Sequence, residues 1–316
     1  MRRGRSTEGS GVIVDCHTHL WEADSRMAKD AETALRQAVI GPSTASPTRW
    51  TPASPDELLA GSKPVDKSFV LAFKSRYLDV EIPNSLVSQY VRQHPEKLIG
   101  FAGIDPSDVQ TALSDLRRAR DELGLRGVTI SPAAQDYHPT DSRAMQVFAE
   151  AARLRMPVLV HQGVHFSMAA KMEFARPHLF DEVAREFPTL KLIIAHMGYP
   201  WVDECVVLLG KQPNVFADIS NVLQRPWQAY QALLTAHEYG VMDKLLFGSD
   251  FPRMSATASI EAIYSVNQVS IGTSLPSIPR PMLQSIVERD VLALLGLAAP
   301  SAAPRPTLGL LDDHAA

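Results

Sequence analysis

Val12-Ile13-Val14-Asp15-Cys16-His17-Thr18-His19-Leu20-Trp21 is an apolar run of strand length that ends in His-x-His. Side chains alternate faces along a strand, so His17 and His19 are expected on one face and Cys16 on the other. Two imidazoles together at the end of a buried strand suit a borderline-soft cation such as zinc. Taken alone, the pair fits equally well two hydrogen-bonded polar residues beside a surface turn. Cys16 reads as a small core residue and not as a ligand.

Working outward, the interval 22–63 lacks strong periodicity and carries Gly41-Pro42-Ser43, Ser46-Pro47 and Thr51-Pro52, which punctuate loops. A connection of that length inside a domain is usually functional or mobile. Ser54-Pro55-Asp56-Glu57 has the form of a capping box with proline in the first helical position. From there strands alternate with helices. Apolar strands are expected at 67–73, 97–104, 126–130, 156–161, 190–196, 214–219 and 244–250. Helices are expected at 85–94, 108–123, 141–154, 177–187, 202–209, 226–239, 259–269 and 281–295. In the second of these, Val109, Leu113, Leu116, Ala119 and Leu123 recur at helical spacing, with Gly124 as a stop. With the opening run, that makes eight continuous apolar strands joined by helices, the signature of a parallel sheet covered on its faces. Eight units in one chain of this length favour an α/β fold of the (β/α)8 TIM-barrel type over an open sheet. No glycine-rich loop follows the first strand, which argues against dinucleotide binding.

Composition agrees. The 316 residues are 45% hydrophobic and 21% charged, enough for a large core in one domain, placed at 11–297. Residues 1–10 read as a loose basic leader without a signal peptide's apolar segment, and 298–316 as a flexible tail rich in Ala, Pro and Leu. A net charge of −4 argues against a nucleic-acid or membrane binder. Two cysteines form no disulfide framework, so a reducing cytoplasm is expected. A symmetric homodimer is a common state for soluble chains, and one is possible here.

The strand ends carry the chemistry, because barrel enzymes place catalytic groups where strands pass into the following loops. The first expected strand ends in His17 and His19, the fifth in His161, the sixth in His196 and the eighth in Asp250. Asp15 is a candidate anchor for its strand end, and Asp218 a candidate to orient a neighbour. The stretches Asp15-Cys16-His17-Thr18-His19, the strand ending at His161, Ala195-His196-Met197-Gly198 and Gly248-Ser249-Asp250-Phe251-Pro252 together resemble the amidohydrolase superfamily. The closest resemblance is to its amidohydrolase 2 branch, related to aminocarboxymuconate semialdehyde decarboxylase, and it runs from Val12 to about Leu297.

That resemblance implies roles. His17, His19 and His161 would bind one divalent metal, zinc first and manganese second. Asp250 would complete the site, and His196 would act beside it as acid/base. Two-metal members usually carry a carboxylated lysine at the end of strand four, whereas this chain has Gly127-Val128-Thr129-Ile130-Ser131-Pro132 there, which favours a single ion. Trp21 and Arg253 are candidate substrate-binding residues, and Lys74 and Arg76 are further candidates for holding a substrate carboxylate. The expected activity is hydrolysis of an amide, lactone or ester of a small molecule by metal-activated water. The alternative is nonoxidative decarboxylation of a small, often aromatic, carboxylate. Several such decarboxylases have glutamate after the His-Met-Gly of strand six, where this chain has Tyr199, and the departure tilts the reading towards hydrolysis. A metal-binding barrel without turnover is the third reading.

Overall fold

The computed structural model describes residues 12–20, 53–163, 167 and 169–298. The expected leader and tail, Trp21 and most of the 22–63 interval lie outside the described residues. Eight parallel strands form one sheet: β1 (Val14–Thr18), β2 (Lys67–Leu71), β5 (Leu98–Gly103), β6 (Gly127–Ile130), β7 (Val158–Val160), β8 (Leu192–Ile194), β9 (Val215–Asp218) and β10 (Leu245–Leu246), in that order. The chain just past β10 completes the ring: Cys16 N donates to Phe247 O at 2.9 Å, Asp250 N to His17 O at 3.0 Å and His19 N to Phe251 O at 2.9 Å. The expected (β/α)8 barrel is therefore present, with its seam between the first and last strands.

Alternation sorts the strand residues into two layers. Val70, Val128, Val158, Val160, Leu192 and Ile194 join the larger cluster beneath the surrounding helices. Phe69, Leu71, Phe101, Leu159, Ile193, Phe216 and Leu246 form a second cluster, which fills the barrel. Phe69 stacks on Phe101 with ring centroids 4.7 Å apart. Val291, Leu295 and Leu297 join this inner cluster. The Arg126 side chain, just before β6, donates to Leu297 O, so the final helical turn plugs the end where the strands begin.

One expectation needs correction. Asp15 pairs with Ser68, but the next pair is Thr18 with Val70, so β1 advances three residues while β2 advances two. This one-residue irregularity resets the alternation. Cys16 packs inside the barrel with Val14 and Leu71, and not on the face away from His17. The extra residue lets Cys16 fill the apolar layer and His17 enter the polar layer above it.

The helices follow their signals. Ser54 and Glu57 make the capping box of helix Pro55–Gly61, and Asp108 and Asp141 cap helices Val109–Asp121 and Ser142–Leu154. The expected helix at 177–187 is a 3-10 turn at Pro177–Phe180 followed by a short α-helix, Asp181–Glu186. Periodicity did not reveal the hairpin of β3 (Phe73–Ser75) and β4 (Val80–Ile82). It crosses Gly103 so closely that a Cβ there would sit 2.6 Å from the Phe73 backbone, which only glycine avoids.

Candidate metal centre

At the end of the barrel where the strands finish, apolar filling gives way to imidazoles and carboxylates. His17 lies at the centre and is fully buried. Its Nε2 is 3.1 Å from the Nε2 atoms of both His19 and His161. Asp250 Oδ1 stands 3.7 Å from His17 Nε2 and 4.0 Å from His19 Nε2. The His196 ring lies 4.6 Å, centroid to centroid, from that of His17. The five strand-end residues singled out in the sequence are thus brought together from β1 and the ends of β7, β8 and β10.

Local backbone geometry aims these groups. His196, Met197, Asn221 and Asp250 have φ of 56°, 50°, 59° and 59°, left-handed conformations rare outside glycine. Such strain is found where surrounding contacts enforce it. Here His196 N donates to Asp218 Oδ1 at 3.1 Å, and Asp250 N is held by His17 O. Gly248 leaves room for His17, since a Cβ there would meet the His17 and Ser220 Cβ atoms at 3.1 Å.

A second tier of polar groups grips the first. Asp218 Oδ2 accepts from His17 Nδ1 at 3.0 Å. Asp218 Oδ1 accepts from Ser220 N at 3.1 Å and from the Ser220 hydroxyl, and Ser220 Oγ is 2.8 Å from His196 Nδ1. Asp250 Oδ2 accepts from Asn221 Nδ2 at 2.9 Å and faces Arg253 Nε at 3.3 Å. Asp15 accepts from Ser249 Oγ at 2.6 Å and Ser249 N at 2.9 Å, the anchoring role expected of it.

Burial decides much of the electrostatics. It would raise Asp218, but the His17 imidazole and its hydrogen bond hold that carboxyl well below the usual range. Burial pushes Asp15 up to about 6, against the pull of its bonds to Ser249 and His17. Burial depresses both His19 and His196, so each presents an uncharged imidazole at neutral pH. His17 is raised, because the attraction of Asp218 outweighs desolvation.

These donors fit a single cation. Imidazole nitrogens and a carboxylate oxygen about 2 Å from a shared ion stand roughly 3–4 Å apart, which is the spacing seen here. The potential ligand atoms of His17, His19 and His161 lie within 4.8 Å of one another, as do those of His17, His196 and Asp250. His17 Nδ1 donates a hydrogen bond to the Asp218 carboxylate, the outer contact that commonly accompanies metal binding through a histidine's other nitrogen. β6 carries Thr129 and no lysine.

Other expectations fare differently. Arg253 is mostly buried beside Asp250. Lys74 pairs instead with Asp115 at 2.6 Å and Arg76 with Asp108 at 3.0 Å, so neither is a spare cation at the cluster. Trp21 and His165 lie outside the described residues. Sequence reasoning missed Ser220 and Asn221; the only signal was their position directly after Asp218 at a strand end. Arg225 was missed as well: it donates to Asn221 Oδ1 and lies over the Tyr199 ring, 5.8 Å from its centroid.

Comparison with known proteins agrees with this picture. The 2-amino-3-carboxymuconate-6-semialdehyde decarboxylase of Dictyostelium discoideum is 24% identical over 130 residues, covering 36% of this chain and 36% of that protein's length. A probable 2-pyrone-4,6-dicarboxylic acid hydrolase from Acinetobacter baumannii, solved with citric acid bound, superposes with a TM-score of 0.60 at 15% identity, covering 90% of this chain and 99% of that one. A 5-carboxyvanillate decarboxylase from Novosphingobium aromaticivorans, solved with manganese and 4-hydroxy-3-methoxy-5-nitrobenzoic acid, gives a TM-score of 0.61 at 13% identity, with 92% and 98% covered. At such identities the structural likeness concerns the fold. A family model described as Amidohydrolase matches residues 14–271, from the first barrel strand to beyond the last, and the chain belongs to that family.

Proposed function

We propose that the chain is a metal-dependent enzyme that hydrolyses an amide, lactone or ester bond of a small molecule. His17, His19, His161 and Asp250 hold one divalent ion in this reading. Imidazole-rich donors favour zinc, and manganese is the second choice, as in the manganese-bearing decarboxylase structure. A divalent ion there supplies Lewis acidity, polarising an oxygen of water or substrate.

The observation that carries the hydrolytic reading is the pose of Asp250. One carboxylate oxygen faces the imidazole cluster, while the other is held by Asn221 and Arg253. In this reading Oδ1, the oxygen on the metal side, both contacts the ion and accepts a proton from the water that attacks the substrate carbonyl carbon. As the carbon–nitrogen or carbon–oxygen bond breaks, that proton passes to the leaving atom. His196, which brings a ring nitrogen within 4.8 Å of the Asp250 carboxylate, serves as the second acid/base. The walls are preorganised, because buried hydrogen bonds hold each group before substrate arrives.

A second reading is supported by one observation. The Arg253 guanidinium, mostly buried beside Asp250, suits a substrate carboxylate, and the structural neighbour from Novosphingobium is a decarboxylase. The carbon–carboxylate bond would then break, and a proton would be delivered to carbon.

The test is metal analysis of the purified protein followed by mass spectrometry on a panel of lactones, amides, esters and aromatic carboxylates. Gain of one water supports the proposal, and loss of carbon dioxide replaces it with the second reading. Full metal occupancy without turnover across the panel points to the binding barrel. His161→Ala should lower metal content, while His196→Ala should mainly lower rate. Equal metal occupancy in wild type and His161→Ala refutes the ligand assignment.

A further inference from the structure

We infer that Asp218 is a positioning residue that sets the tautomers of two imidazoles at once, His17 directly and His196 through Ser220. The argument is a count of protons. An ionised carboxylate has about four acceptor sites and no donor. Asp218 receives four donors: His17 Nδ1 on Oδ2, and His196 N, Ser220 N and the Ser220 hydroxyl on Oδ1. Three of the donors converge on Oδ1 and the fourth on Oδ2, at complete burial, and none of these contacts asks the carboxylate to donate.

The consequences propagate outward. Because Asp218 only accepts, the proton between it and His17 sits on His17 Nδ1, which leaves Nε2 of the uncharged ring as a lone pair. Because the one Ser220 hydroxyl proton goes to Asp218, Ser220 Oγ can only accept from His196 Nδ1 at 2.8 Å. The His196 Nε2 is then also a lone pair. His196 Nδ1 is 3.9 Å from Asp218 Oδ1, too far for a direct hydrogen bond, so the serine is the required link. One carboxylate on β9 therefore turns the ligand nitrogen of β1 and the acid/base nitrogen following β8 to the same state.

The consequence for metal affinity rests on His17 being a ligand, as proposed above; the tautomer assignment does not. The test uses full-length protein labelled with 15N-histidine. In metal-free wild type at alkaline pH, long-range 15N–1H spectra should show His17 and His196 protonated at Nδ1. An Nε2-protonated form of either overturns the inference. In Asp218→Asn, whose amide can donate to His17, the His17 proton should move to Nε2. Zinc affinity, read by competition with a chromogenic chelator, should fall about 10–100-fold. In Ser220→Ala, His196 alone should lose its fixed tautomer, with zinc affinity kept within about threefold. Unchanged tautomers in both variants overturn the inference even where affinity falls. If wild type shows both expected tautomers yet binds no zinc, the metal reading fails and the inference stands.

Discussion

The two halves of the barrel interior are built from the same strands and behave as different materials. The half where strands begin is hydrocarbon and thiol: Val14, Cys16, Phe69, Leu71, Phe101 and Leu159, stoppered by Val291 and Leu295. The half where they end is imidazole and carboxylate. On β7 the change takes two residues, from Leu159 to His161, and on β9 two, from Phe216 to Asp218. Two strand residues span about 7 Å. Stability and chemistry are thus sorted by depth, and a substitution should disturb one without the other.

The largest separation is expected at Asp250. Asp250→Asn should lower kcat/KM by about 10²–10⁴-fold, the usual worth of a positioned proton acceptor. Its urea unfolding free energy should fall by about 1–3 kcal/mol at most, the cost of one imperfectly paired buried polar group. A stability loss as large as that of a core truncation would erase the contrast between the halves. The converse is Phe101→Ala, at a fully buried ring stacked on Phe69. It should cost about 3–5 kcal/mol by urea unfolding. Metal bound per folded molecule should be unchanged, and a proportional loss of metal would show that the lower half tunes the upper.

The smallest effect lies outside both halves. Glu150, on helix Ser142–Leu154, is bonded to Arg153 and to Arg117 of the neighbouring helix, which hold its carboxyl down at about 2. The folded value is depressed, so the stabilisation is present above about 4.5 and lost as pH falls towards 2. Both arginines are largely exposed, so solvent screening limits the contribution to about 1 kcal/mol. Glu150→Gln should lose that amount in urea titrations at neutral pH and match wild type near pH 2. A difference that persists in acid would mean that packing, not charge, is at stake.

The sequence foretold the strands because their apolar runs are continuous, and the gathering of five strand-end polar residues because each ends such a run. It misplaced Cys16 because alternation assumes one residue per step, and the extra residue in β1 leaves no mark in composition. It gave Asp218 the right neighbourhood without its part. That part depends on Ser220 and on the left-handed turn at His196, which only coordinates reveal. The β3–β4 hairpin was hidden by its short strands, which periodicity could not separate from the end of β2.

The ring's seam has a further meaning. Cys16, His17 and His19 on one side meet Phe247, Asp250 and Phe251 on the other, and Asp15 grips Ser249 across a separation of 234 residues. The bonds that shut the cylinder run through the same backbone that carries three of the donor side chains. No fragment lacking the last strand can assemble the cluster, and no open form of the barrel can retain it. A cation that needs the whole cluster would therefore be held only by chains whose first and last strands have met.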